Sequence, residues 1–359
     1  MIISRSLLIV LITFSLTVSV DFFFGRNLLN VINKQSDGIV SWNYRDEKLG
    51  LVFEKNFQIE NAQWGNIFYK FCSNDLGLKS ECSQNNSKKK YKYAFLGDSF
   101  TEGIGVAYEK TFVGLFDNGS NNVINFAISG GSPHIHIKRL NYFLNSENIE
   151  IEDLFLFFDL TDFEDDFGWD RDGKLYIDHY GLDFSKEKYK KFLKDYLPVT
   201  YHVLLNIWWK SLRKYFVSPT EQFRYHDRKY DWDYKSTVLI PDYKYKKNII
   251  LKNLNEISKI AKSKNINFHI VVYPHPGTIL YLKDIEQSNN QKLISSFCSI
   301  DDNCKMISLY DSFYSEIIKR GKNDVINKYY FKGDIHFSEK GHKFVYESFI
   351  KNNLDKKNK

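Results

Sequence analysis

The chain has 359 residues, enough for one large α/β domain or a domain carrying an insertion, so core size sets no limit. Hydrophobic residues make up 43% and charged residues 26%, which excludes a disordered chain and a multi-span membrane protein. The net charge of +6 arises from 50 basic and 44 acidic residues interspersed along the chain, and a dispersed excess is no nucleic-acid footprint, so no nucleic-acid partner is expected.

The N-terminus reads as a membrane-targeting element. Arg5 precedes an uncharged run from Ser6 to Val20, Asp21 interrupts it, and Phe22, Phe23 and Phe24 resume the apolar character. The run alone spans about 22 Å as a helix, short of the roughly 30 Å hydrocarbon core. A cleavage site is poorly defined, because Val18 and Val20 stand where small residues belong. The expectation is an uncleaved anchor over 1–24, with Arg5 cytoplasmic and the rest of the chain exported to the periplasmic or extracellular side; secretion after cleavage is the second reading.

Residues 25–90 are polar and turn-rich and read as an extension from the membrane to the globular body, and Lys88, Lys89, Lys90 and Lys92 as a solvated strand start. Strands are predicted over Tyr91–Leu96, Asn122–Ile128, Leu154–Phe158, Phe268–Tyr273 and Lys305–Leu309. Helices are predicted over 109–116, 134–144, 249–263 and 341–352. Continuous apolar strands alternating with helices predict a parallel sheet covered on both faces, with functional residues at the strands' carboxyl ends. Residues 165–247 break the alternation and read as an aromatic helical insertion. Its best helix is 201–216, with Trp208 and Trp209 read first as core, and otherwise as a lid or a membrane-facing stripe. Cys72 with Cys82 and Cys298 with Cys304 are the simplest of three pairings and fit an oxidising compartment; none has the company of a zinc site.

Two blocks carry chemistry. Gly97-Asp98-Ser99-Phe100-Thr101-Glu102-Gly103 follows the first strong strand, where a serine at a tight turn is held above the sheet with backbone N–H groups near it. Asp334-Ile335-His336 precedes the last helix. A serine needs a base, the base needs an orienting carboxylate, and side chains two apart in an extended segment point the same way.

These blocks resemble the SGNH (GDSL-like) hydrolase superfamily. GDSFTEG is similar to its first motif, which implies Ser99 as nucleophile and its N–H as one oxyanion donor; NFAISGG is similar to the second, which implies Gly130 as another. VVYPHPG at 271–277 and GDIHFSEKGH resemble elements of anchored, exported members related to alginate O-acetyltransferases, which also carry Asp two before the His. The resemblance covers 91–163 and 267–350, within a domain expected over 91–352, and implies a flavodoxin-like three-layer α/β/α sandwich. It departs at the third motif, where Asp159-Leu160-Thr161-Asp162 replaces GxND and leaves Thr161 as the third oxyanion donor.

The expected relay is thus Ser99, His336 and Asp334, with Ser99, Gly130 and Thr161 as the oxyanion hole and no cofactor. Asp159, Asp162, Glu164, Asp165 and Asp166 lack the glycine-punctuated spacing of a cation loop, read as an acidic turn capping a helix, and imply no metal. The function expected is an esterase or O-acyltransferase on acyl, chiefly acetyl, esters of a cell-envelope glycan. Competing readings are a glycan-binding or assembly subunit with a decayed site, and a membrane-lipid esterase.

Overall fold

Five strands form the central sheet of the computed structural model, which describes residues 13, 15–25, 44–46, 50–83, 87–119, 122–169, 196–201, 231–240, 242–283 and 288–354. Residues within 1–39 and 176–221 form one unit, and those within 40–175 and 222–359 another. In the first, residues 15–25 are helical, and the Asp21 carboxylate accepts the N–H groups of Val199 and Thr200 at 2.9 and 2.7 Å. Among the described residues no helix is long and apolar enough to cross a membrane; most of the expected anchor, and nearly all of the expected 201–216 helix, lie outside them.

The second unit begins with two antiparallel hairpins, β1 (Tyr44–Asp46) with β2 (Gly50–Val52) and β3 (Gln58–Trp64) with β4 (Ile67–Cys72). Sequence patterning left this stretch as an extension. Then follow β5 (Lys90–Leu96), α1 (Ser99–Glu102), α2 (Phe112–Asp117), β6 (Val123–Asn125), α3 (Pro133–Asn141), β7 (Glu150–Phe158) and α4 (Asp162–Trp169). The chain continues with α5 (Tyr243–Ser263), β8 (Asn267–Val272), α6 (Pro276–Tyr281), α7 (Asn289–Cys298) and β9 (Cys304–Ser308). It closes with α8 (Tyr310–Arg320), α9 (Lys322–Tyr329) and α10 (Glu339–Leu354).

The sheet is parallel throughout, in the order β6-β5-β7-β8-β9, as the α/β expectation requires. Counted by chain position this is 2-1-3-4-5, the doubly wound order whose switch point lies between β5 and β7. Alternate residues face opposite layers. Ala94, Leu96, Leu154, Leu156 and Phe158 pack with Leu140 of α3, Ile250 and Leu254 of α5 and Ile294 of α7. Phe95, Phe155 and Phe157 face the other way, onto Phe112 of α2 and Val345 and Phe349 of α10. These three strand phenylalanines are at most 1% exposed, and each contributes about 1.5–3 kcal/mol by leaving water.

The five predicted strands form where the apolar runs lie, with shifted ends. β6 stops at Asn125, short of the expected 128, because Phe126 and Ile128 give their N–H groups to Phe95 and Gly97 as a loop curling over the end of β5. β7 starts at Glu150, where polar residues hid it from an apolar-run search. Both disulfides are the local ones, Cys72–Cys82 with Cα atoms 5.1 Å apart and Cys298–Cys304 at 4.8 Å.

Candidate active site

Leu96 ends β5, and the chain turns sharply into α1. Gly97 is required there: a Cβ would sit 2.3 Å from Thr101 Oγ1 and 3.1 Å from the Phe157 carbonyl oxygen. Asp98 caps the turn by accepting the Phe100 N–H at 3.0 Å, and Gly103 closes it in the left-handed region at φ 81°, donating to the Ser99 carbonyl. Ser99 is thereby held at the carboxyl edge of the sheet, at the switch point.

His336 arrives on a loop tied back to itself. Phe331 donates to the His336 carbonyl, Asp334 donates to the Phe331 carbonyl, and Gly333 takes φ 75° between them. The Ser99 Oγ and His336 Nε2 lie 2.8 Å apart, and His336 Nδ1 lies 2.6 Å from Asp334 Oδ1. The same Asp334 oxygen accepts the His336 backbone N–H at 2.9 Å. Burial would raise the Asp334 carboxyl, but hydrogen bonds from His336, its charge and the Trp64 indole outweigh that and hold it at about 2. A carboxylate only accepts, so the imidazole proton sits on Nδ1 and Nε2 is left to receive the serine proton. The imidazole touches two rings, Phe100 at 4.9 Å and Trp64 edge-on at 5.3 Å between centroids.

The second glycine-rich block lies beside this relay. Glu102 of α1, wholly buried, accepts both the N–H and the hydroxyl of Ser129, at 2.7 and 2.5 Å, and so ties the Ile128–Gly131 turn to the helix that carries Ser99. Gly130 takes φ 72° in this turn. Neither its N–H nor that of Ser99 is donated to another group among the described residues, leaving two backbone donors for an anionic oxygen. Thr161, expected as the third donor, gives its one hydroxyl proton to Asp159 Oδ1 at 2.7 Å, with its N–H on the same oxygen at 2.8 Å. The hydroxyl braces the turn after β7, and its one proton is not left for an oxyanion.

Asp159 is the hub of that turn. Its other oxygen accepts Tyr273 OH at 2.9 Å and the His275 Nε2–H. Against the upward push of burial, the charge and hydrogen bond of His275 hold its carboxyl below the ordinary range. Asp98 and Asp162 go the other way: burial, and then the charge of neighbouring carboxylates, keeps both protonated well above it. Asp166 is raised by burial to about 6 and accepts from His134 N–H and Asn253, and Glu164 pairs with buried Lys246 at 2.6 Å. The acidic cluster is thus committed to internal partners; among the described residues no three such side chains are arranged to hold a metal ion.

Three contributors escaped the sequence patterning, two from the segment before β5. Trp64, at the end of β3, donates its indole N–H to Asp334 Oδ2 at 2.9 Å. Lys79, inside the Cys72–Cys82 loop, donates to the carbonyls of Gly103 and Val106, both at 2.7 Å, and burial lowers its ammonium to about 8 against the pull of Glu102 and Glu109. Glu102 is the third, and its buried position in the first block gave no signal beyond its neighbours.

No family model and no curated protein matches the chain. Solved structures do. An acetyl xylan esterase, AlAXEase, is 14% identical with a TM-score of 0.39, over 72% of this chain and 97% of its own. A catalytic mutant of Axe2, an acetylxylan esterase from Geobacillus stearothermophilus, is 10% identical with a TM-score of 0.40, over 74% and 94%. A GDSL-like lipase from Bacteroides thetaiotaomicron is 13% identical with a TM-score of 0.37, over 75% and 89%. Likeness at these levels carries nothing about activity, so function is argued from the site.

Proposed function

We propose that this chain is a serine-dependent acyl-ester enzyme, an esterase or O-acyltransferase. The observation that carries this is the continuous hydrogen-bonded series Ser99 Oγ, His336 Nε2, His336 Nδ1, Asp334 Oδ1. Such a series takes the proton from a hydroxyl as it attacks, and proton transfer of this kind is worth about 10²–10⁴ in rate. Ser99 Oγ adds to the ester carbonyl while His336 Nε2 accepts its proton. The tetrahedral oxyanion takes hydrogen bonds from the Ser99 and Gly130 N–H groups. Collapse breaks the bond to the alkoxy oxygen, which leaves as the alcohol with the proton from His336, and the acyl group stays on Ser99. Water, or a sugar hydroxyl, then attacks by the same route in reverse and regenerates the serine.

A connected relay weighs against a decayed site serving only to bind glycan. The two disulfides fit an exported domain, and with the apolar N-terminal run they favour a membrane-anchored enzyme working on acetyl esters of an envelope glycan. Full-length protein should release the chromophore from a chromogenic acetyl ester and react with a fluorophosphonate at Ser99. Ser99→Ala should abolish both; unchanged turnover in that variant would remove the proposal.

A further inference from the structure

We infer that Trp64 is a positioning residue of the relay, holding the Asp334 carboxylate in the one rotation that serves His336; this rests on the serine-relay reading above. Asp334 receives three N–H donors. His336 supplies two, both to Oδ1, and the Trp64 indole supplies the donor to Oδ2. The carboxylate is more exposed than the imidazole it orients, 29% against 10% for His336, and sits on a loop bent at Gly333. Without the indole its plane is free to turn toward water, and the Nδ1 bond turns with it. The indole ring also meets the imidazole edge-on, at an interplanar angle of 89°, so the same side chain limits rotation of both groups.

An indole N–H only donates, so Trp64 cannot act as a base and its part is orientation. The hairpin that carries it is anchored next to the second oxyanion donor: Ala62, Tyr69 and Phe71 pack with Ile128 and Ile135, on either side of the Gly130 turn. β3 and β4 thus span from the oxyanion side of the site to the carboxylate side, and the segment before β5 belongs to the reaction's machinery.

The test compares wild type, Trp64→Phe and Ser99→Ala as full-length proteins, with active sites counted by fluorophosphonate titration. Trp64→Phe keeps an aromatic ring and loses the donor. Expected are a fall in kcat per titrated site of about tenfold, as for loss of one hydrogen bond to a charged group, a KM within about twofold of wild type, and an upfield move of the far-downfield proton resonance of His336 Nδ1–H. Unchanged kcat per site and an unmoved resonance overturn the inference, including the case in which Trp64→Phe merely folds less well and lowers the number of titratable sites. Trp64→Leu, which also lacks the donor, serves if the phenylalanine variant does not fold; kcat per site and resonance both matching wild type overturn the inference there too, and a lower kcat with a moved resonance supports it. If Ser99→Ala keeps full turnover the serine relay itself fails, and the resonance shift in Trp64→Phe still reports separately on the contact.

Discussion

Asp334→Asn provides a sharp test of the relay because three N–H groups converge on this side chain and an amide can accept on only one side. With its oxygen toward His336, the amide receives the backbone N–H and Nδ1–H, as now at 2.9 and 2.6 Å, but its NH₂ faces the Trp64 indole N–H at a place built for a 2.9 Å bond. With its oxygen toward Trp64, the NH₂ confronts the His336 backbone N–H and drives the imidazole proton to Nε2, where it can no longer accept from Ser99. The conflict with Trp64 costs the productive orientation about 1–3 kcal/mol, the cost of an unsatisfied buried donor, so removing the indole should raise that orientation's share roughly 5- to 150-fold against the flipped one. Asp334→Asn should therefore be strongly impaired, and Trp64→Phe in that background should recover activity by a factor in this range although it costs activity alone. Ester hydrolysis per titrated site across the four proteins of the cycle measures the coupling. Losses that simply multiply would refute both the donor count and the tautomer assignment.

Three further outcomes follow from the structure. Replacing Cys72 and Cys82 with serine opens a loop of sequence separation 10 and should cost about 2–3 kcal/mol in denaturant unfolding; because the loop holds Lys79 against Gly103 and Val106, kcat should fall further than stability alone explains. Gly103→Ala places a Cβ 2.3 Å from Thr111 Cγ2 at φ 81°, so its melting temperature should drop by the equivalent of about 1–3 kcal/mol, and an unshifted melt would show that the turn yields freely. His136 is held neutral down to about 3, by burial first and Arg139 second. A base with a lowered folded pKa gives stability that is present above its unfolded value near 6.5 and is lost as pH falls. From pH 7 to pH 5 wild type should therefore lose about 2 kcal/mol more than His136→Asn in urea titrations; equal slopes would contradict the assignment.

What sequence conveys here depends on how far a signal reaches along the chain. β5, β7 and β8 are buried on both faces, so each shows itself as an apolar run, and the alternation with helices was enough for the sheet. Ser99 with Gly97 and Gly103, and Asp334 with His336, are local constellations whose spacing already encodes the turn. The Trp64–Asp334 contact joins positions 270 apart, and nothing local to Trp64 announces it. Thr161 shows the opposite failure: a position matched to a motif carried the expectation of a donor, but Asp159 two residues earlier captures the hydroxyl, a competition that spacing does not reveal.

The distance in sequence between Trp64 and its carboxylate partner orders the assembly of the proposed relay. During synthesis the nucleophile and the indole emerge early, while base and carboxylate come only with the final helix. On the proposed mechanism, a nascent or C-terminally clipped chain would carry an inert hydroxyl, and reactivity would begin only once the two ends of the domain had closed on each other.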